Sequence, residues 1–318
     1  MATMRWYPLR FRPIFKPRIW GGRKLQEVFG KDLPTEEKIG ESWELADLPE
    51  DKSVVANGPL AGRTLHSVAS EYPKEILGRP GSPGPFPLLI KFLAAEDVLS
   101  VQVHPDAAAC RQMGMGELKT ECWYIVDARP EAFIYKGLKP GVTKQAFAQA
   151  IVDGTVERLL QKVPVERGQC HHLPAGTMHA LGPGILVAEI QTPSDTTYRV
   201  FDWNRLDDSG RPRTLHVQEA LESVHFVPTA ADLSVTTVGR LVDCPYFRVD
   251  KGHQAAGCQN LLSPGVMKVL VFIAGHGQIT DAEGHTMDFV AGDCLLIPAV
   301  YEGAMIAQEE AEYLTVTV

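Results

Sequence analysis

One pattern occurs twice in this chain, and it constrains the fold more than any other feature. VERGQCHHLPAGTMHA, from Val165 to Ala180, aligns without gaps to FVAGDCLLIPAVYEGA, from Phe289 to Ala304. Gly168 falls on Gly292, Cys170 on Cys294, Pro174 on Pro298, Ala175 on Ala299 and Ala180 on Ala304. The first copy reads as a turn glycine, a short strand, a Pro-Ala-Gly turn and a histidine. Glycine supplies the backbone freedom for the bend, and proline fixes φ where the strand stops. Two copies of one strand–turn–strand unit predict two β-units of similar design. A chain of 318 residues with 45% hydrophobic content can fill two cores. Its 28 glycines and 23 prolines, spread along the whole length, suit many short strands better than a helical bundle.

The copies differ where chemistry could sit. His179 aligns with Gly303, so a ligand present in the first unit is missing from the second. Other segments supply companions for His179. In LSVQVHPD, Gln102 and His104 lie two apart and project to one face of an extended chain, with Val101 and Val103 on the other and Pro105 ending the run. In LKTECWYI, Lys119 and Glu121 share a face in the same way, ahead of an apolar run. Gln102, His104, Glu121 and His179 together suit a divalent metal inside a β-barrel. Singly, His104 is an ordinary core histidine and Glu121 an ordinary strand-edge charge; the spacing Gly168-x5-Pro174-x-Gly176-x2-His179 and the company they keep favour ligation. His171 and His172 align with Leu295 and Leu296, so one faces inward and both read as structural.

Arg199, in DTTYRVFDWNR, sits among alternating hydrophobic residues, with Phe201 and Trp203 on its face. A guanidinium there needs a carboxylate or an anionic ligand, and Asp202, Asp195 and Glu189 are all available as plain ion-pair partners. The formal charge of −8 provides no basic footprint for nucleic acid or an anionic membrane. Six scattered cysteines without a C-x-x-C pair fit reduced thiols in a cytoplasmic protein. No stretch is long enough to span a bilayer, and the N-terminus lacks the apolar run of a signal peptide. Helices are expected over 65–77, from an Asp106 cap to Met113, over 143–160 with a break near Gly154, and over 217–224. Residues 1 to about 60 read as an irregular arm with short strands, 78–87 as a Pro/Gly-rich loop, and 226–232 as a link to the second unit.

The spacing around His179 resembles the second signature of the cupin superfamily, and Gln102-x-His104 followed by Glu121 resembles a variant of the first. More widely, Trp20-Gly21-Gly22, Gly40-Glu41-Ser42-Trp43-Glu44, LSVQVHPD, KTECWYI, PAGTMHALGPGILVAEIQ and DTTYRVFDWNR resemble the short bacterial form of the type I mannose-6-phosphate isomerases, over nearly the whole chain. The resemblance implies a mainly β fold of two cupin-like jelly-roll barrels with a few short inserted helices. Residues 1–230 would hold the arm and the metal-binding barrel, and 231–318 a second barrel without ligands. It implies one zinc ion per chain on His104, Glu121 and His179, with Gln102 a fourth or occasional ligand. It places Lys119 and Arg199 at catalytic positions and makes a small sugar phosphate the substrate, mannose 6-phosphate and fructose 6-phosphate being interconverted. Beside zinc in a partly dry barrel the Lys119 pKa should fall, suiting it to carry a proton. No glycine-rich phosphate loop is present, which leaves Lys91, Arg111, Lys119 and Arg199 as candidates for the phosphate. Two other readings stay open: a non-catalytic sugar-binding or regulatory cupin, and an Fe(II) cupin dioxygenase, since two histidines and a carboxylate also suit iron.

Overall fold

The computed structural model describes residues 4–80, 84–206, 210–227 and 234–318. The far part of the expected link, 228–232, and residues 81–83 of the Pro/Gly-rich loop lie outside the described residues. The chain divides into two compact units, each drawn from separated stretches of sequence. One comprises Met1–Ile14, Trp43–Ile90 and Thr237–Val318; the other comprises Phe15–Ser42 and Lys91–Thr236. No helix among the described residues is long and apolar enough to cross a membrane.

The unit that carries the second copy of the repeat has a six-stranded and a four-stranded sheet. Cys294–Ile297 pairs antiparallel with Lys268–Ala274, and Gly303–Ala307 lies between Gln259–Leu262 and His276–Asp281 in the smaller sheet. Its core contains Leu270, Phe272, Phe289, Leu295 and Met305, with Phe272 stacked on Phe289 at 4.1 Å between ring centroids. The unit that carries the first copy has a five-stranded and a seven-stranded sheet. The five run in the order Tyr198–Phe201, Val101–Val103, His179–Leu181, Phe133–Leu138, Leu160–Pro164. The seven run Val235–Thr236, Cys170–Leu173, Glu121–Ala128, Ile185–Gln191, Leu89–Ala95, Ile39–Leu45, Ile14–Gly22. The mainly β expectation holds. Closed barrels are not what the pairing gives, because each sheet has two edge strands and stays open.

The two copies of the repeat fold alike, down to single hydrogen bonds. The Gly168 amide donates to Ile125 and the Gly292 amide to Phe272, at 2.9 and 2.8 Å. Thr177 donates to Pro174 as Tyr301 does to Pro298, at 3.1 and 2.9 Å. Both turn glycines have left-handed backbone, with φ of 90° and 88°, which a side chain would strain.

Sequence-expected helices appear with shifted ends. The 65–77 helix is two, Leu65–Glu71 and Pro73–Leu77, because Pro73 lacks the N–H to continue and starts a new first turn instead. Asp106 caps Ala107–Met113 by accepting from the Ala109 amide at 2.7 Å. The 143–160 helix stops at Val152, and after left-handed Gly154 the chain makes only a 3-10 turn, Val156–Leu159. The short strands expected in the N-terminal arm are present, as the nine-residue edge strand Ile14–Gly22 and the buried strand Ile39–Leu45. The carbonyl and amide groups along that strand need ladder partners, and the neighbouring strands provide them.

Candidate metal centre and cavity

Three strand ends converge on one buried point. Glu121 opens Glu121–Ala128, His179 opens His179–Leu181, and His104 follows Val101–Val103. Pairing sets the neighbours: His179 is opposite Gln102, and Gln102 is opposite Arg199 on the next strand. The turn before His179 is tied to His104 directly, since the Gly176 amide donates to the His104 carbonyl at 2.8 Å. A side chain at Gly176 would lie 2.5 Å from the His225 ring, and φ there is 88°, so this position needs glycine twice over.

The ligand atoms of His104, Glu121 and His179 lie within 4.8 Å of one another, and all three residues are buried. Each imidazole has its Nδ1 committed to a carbonyl, His104 to Thr196 at 2.8 Å and His179 to Thr177 at 2.9 Å. Those bonds fix the tautomer: Nδ1 carries the proton and Nε2 presents a lone pair. Both lone pairs face the Glu121 carboxylate, at 3.3 Å from His104 and 3.4 Å from His179. Burial and the Lys119 ammonium lower the His104 pKa to about 3, and burial lowers that of His179. Neither ring can therefore supply a proton to the carboxylate near neutrality. His104 Nε2 and both Glu121 oxygens are buried without a well-aligned donor. Two lone pairs and a carboxylate aimed at one point, dry and unsatisfied, fit a bound cation. Gln102 reaches the same point, its amide nitrogen 3.3 Å from His179 Nε2. A half-turn of that amide presents Oε1 to an ion.

Lys119 Nζ lies 3.0 Å from Glu121. Burial pulls its pKa down, but Glu121, Glu189 and Asp195 outweigh that and hold it above its ordinary value. Burial would raise Glu121, yet Lys119 and the imidazoles hold it well below the carboxylate range. Trp123 packs edge-on against His179 at 5.3 Å and donates its indole N–H to Glu189 at 2.9 Å. Burial and the charge of Glu121 push the Glu189 carboxyl up.

A cavity of about 360 Å³ lies beside this cluster, within the size range of small-molecule sites. Gln102, Lys119 and Arg199 line it. Arg199 forms no ion pair with any of its three sequence-expected carboxylates among the described residues. Asp202 is taken by Arg205 and Arg213, and Glu189 by Lys91 and Trp123. Arg199 donates instead to the Ser100 hydroxyl and the Thr214 carbonyl, both at 3.0 Å. Of the phosphate candidates, Lys91 lines the cavity, whereas Arg111 is exposed on its helix and absent from the wall. Sequence reasoning gave no chemical role to Arg18, Glu41, Ser100 or Arg213, all of which line it. Ser100 was findable, being two residues before Gln102 and so on its face of the strand.

The family model for the phosphomannose isomerase type I catalytic domain matches residues 9–135. A probable mannose-6-phosphate isomerase of Bacillus subtilis (strain 168), GmuF, is 45% identical over 302 residues, covering 92% of this chain and 94% of the relative. The mannose-6-phosphate isomerase of Streptococcus mutans is 38% identical over 299 residues, covering 92% of each. The crystal structure of a mannose 6-phosphate isomerase from Bacillus subtilis superposes with a TM-score of 0.86 at 31% identity, covering 98% of this chain and 99% of the other.

Proposed function

The chain belongs to the type I phosphomannose isomerase family, and from that premise we propose that it interconverts mannose 6-phosphate and fructose 6-phosphate with one zinc ion per chain. The observation that carries the reading is the dry cluster of His104, Glu121 and His179 opening onto a polar cavity that Lys119 and Arg199 line. His104, Glu121 and His179 would hold the ion, with Gln102 as a fourth or occasional ligand. The metal-binding half falls within residues 1–230, and 231–318 forms a metal-free second half, each of cupin-like jelly-roll design. Free, scattered cysteines favour a cytoplasmic setting.

An aldose–ketose isomerisation moves one proton between C2 and C1 through an enediol. A bound zinc ion would act as a Lewis acid on the substrate oxygens and lower the cost of their developing charge. The protein's own groups do the rest. Lys119, fixed by Glu121, presents a protonated amine to the cavity and serves as proton carrier to the substrate oxygens. Arg199, held by Ser100 and Thr214 and without a carboxylate partner among the described residues, offers its remaining positive charge to an anionic substrate. Trp123 and the buried side chains behind His179 keep water from the rear of the cluster.

The deciding experiment is a coupled assay for fructose 6-phosphate formed from mannose 6-phosphate, before chelation, after it, and after zinc is restored. Turnover that disappears with chelator and returns with zinc is expected. A folded, zinc-loaded protein without turnover sinks the assignment and moves the weight to a sugar-binding role.

A further inference from the structure

Two rows of side chains lead away from the metal cluster, one across each sheet, and both end in an arginine. Across the five-stranded sheet the row is His179, Gln102, Arg199, on three adjacent strands with Arg199 on the edge strand. Across the seven-stranded sheet the row alternates in charge. Glu189 meets Lys91 at 3.4 Å, Lys91 lies 3.9 Å from Glu41, and Glu41 accepts from Arg18 at 2.6 Å, with Arg18 again on an edge strand. The strands of a sheet are spaced by roughly 4.8 Å, and the Arg199 backbone lies two strands from His179 while the Arg18 backbone lies four from Glu121. Arg213 lines the same cavity and is clamped to Asp202 through Nε and Nη2, at 2.6 and 2.5 Å.

The three guanidiniums share one feature. Each is oriented by part of its fork and keeps another nitrogen without a hydrogen bond among the described residues: Nη2 of Arg18 and Arg199, Nη1 of Arg213. Their charges also reach one another. Arg213, Arg205 and Arg18 all disfavour the Arg199 charge, with Asp202 alone opposing them, which follows burial in pulling Arg199 down. Positive groups gathered around one cavity and each pre-aimed by a partner are suited to an anion with several oxygens.

Resting on the isomerase reading above, we propose that Arg18 and Arg213 join Arg199 in a clamp for the 6-phosphate, at the cavity end opposite the metal. The sugar carbons C1 and C2 then face Lys119 and the metal ligands, and the phosphate at the other end of the carbon chain meets the arginines. Lys91 is held between two carboxylates and belongs to the wall connecting the two ends. Arg18 and Arg213 are positioning residues, because they bind the non-reacting end and set where the reacting end falls.

The test compares the zinc-loaded wild type with Arg18→Gln, Arg18→Lys and Arg213→Gln. Steady-state kinetics use inorganic phosphate as competitor, and calorimetry measures inorganic phosphate binding without any turnover. Each Gln variant is expected to raise KM for mannose 6-phosphate by roughly tenfold, more than it lowers kcat, with phosphate affinity weakened by a similar factor. Arg18→Lys keeps the charge and recovers part of the loss. Unchanged KM and phosphate affinity in both Gln variants overturn the clamp and leave the isomerase reading standing. Lower kcat with KM and phosphate affinity unchanged marks a structural role and also overturns it. Phosphate binding that depends on Arg18 in a protein that never turns over mannose 6-phosphate supports the clamp and sinks the isomerase reading.

Discussion

Lys119 and Glu121 sit 3.0 Å apart in a pocket that would otherwise tolerate neither charge, so each changes what the other does. On the roles proposed above, replacing Lys119 with Met removes the proton carrier and frees the carboxylate to serve the ion alone. Turnover should fall about 10²- to 10⁴-fold while metal content stays at one per chain, read by kinetics and elemental analysis on the same sample. Glu121→Gln acts in the opposite sense: it removes the anionic ligand, and metal affinity should fall by more than about a hundredfold, since even an outer-shell loss can reach that size. Lys119→Met protein that loses its metal would show that the amine is part of the binding site rather than of the chemistry. A third residue, His171, lies deep in the same unit and is fully buried. Burial, helped by the Lys136 charge, lowers its pKa to about 4. Unfolded, it takes a proton below about pH 6.5, so between that value and about 4 the unfolded state binds the extra proton. Stability therefore falls as pH drops through this window and is unaffected by this group above it. His171→Leu, which copies the aligned Leu295, should reduce the stability lost between about pH 7.5 and about pH 5 by roughly 2 kcal/mol in urea unfolding. Equal acid sensitivity in the two proteins would sink that assignment. The sequence placed His171 and His172 as a pair with one facing in; only cross-strand register, with His171 opposite Trp123, decides which. Arg18 and Arg213 were not legible, because each reaches the cavity from a segment with no pattern linking it to the histidines.

At the level of elements, the Trp20-Gly21-Gly22 and Gly40-Glu41 segments show what a glycine pair can do for a site built at a sheet edge. A Cβ on Gly21 would stand 2.4 Å from the Gly40 amide nitrogen, and a Cβ on Gly40 would stand 2.6 Å from both Arg18 and Trp20. The close approach of these two backbones is what carries Arg18, Trp20 and Glu41 to the cavity wall. Gly21→Ala should push the strands apart, costing about 1–3 kcal/mol by overpacking and raising KM for the substrate. A thermal melt and a Michaelis constant both equal to wild type would mean that the strands part freely. The sequence displayed the glycines and the short strands around them but not their mutual contact, because nothing in either segment names the other as its partner. Helices were more legible, since caps and breakers are local: Asp106 and Gly154 each act on their own few residues, and the one break missed was that at Pro73. The turn at Gly275 is the opposite case, one that local sequence does not resolve. Lys268–Ala274 and His276–Asp281 belong to different sheets, so left-handed Gly275 turns a corner between layers, a distinction that local composition does not carry. His276 then starts a strand and pairs with Glu309 at 3.0 Å, away from any chemistry.

Across the whole molecule, the repeat explains why one strand–turn–strand unit is present twice while the proposed ligand cluster is found in one copy among the described residues. In the first unit Glu121 is opposite Leu173, and in the second Lys268 is opposite Ile297, which is the repeat partner of Leu173. A lysine therefore stands at the register position of the carboxylate, just as Gly303 stands at that of His179. Lys268 gives its protons to the Ser263 and Val266 carbonyls at 2.9 and 3.2 Å, and burial lowers its pKa. Cation and metal ligand are exclusive roles at one position, so the second unit has lost the anionic ligand as well as the imidazole. The sequence alignment exposed the histidine loss, because both copies of the turn are similar; the carboxylate loss was hidden, because the strands that pair with the repeat have diverged. Metal titration should then saturate at one ion per chain, and His179→Ala should take bound metal toward zero rather than to half of an original two. Elemental analysis after dialysis distinguishes the cases, since a residual stoichiometric ion in His179→Ala would place a ligand set elsewhere. Installing a carboxylate and an imidazole through Lys268→Glu and Gly303→His should not by itself create a second site. His104 and the Thr196 carbonyl that fixes its tautomer come from segments outside the repeat, and a metal needs that oriented shell as much as it needs the ligands.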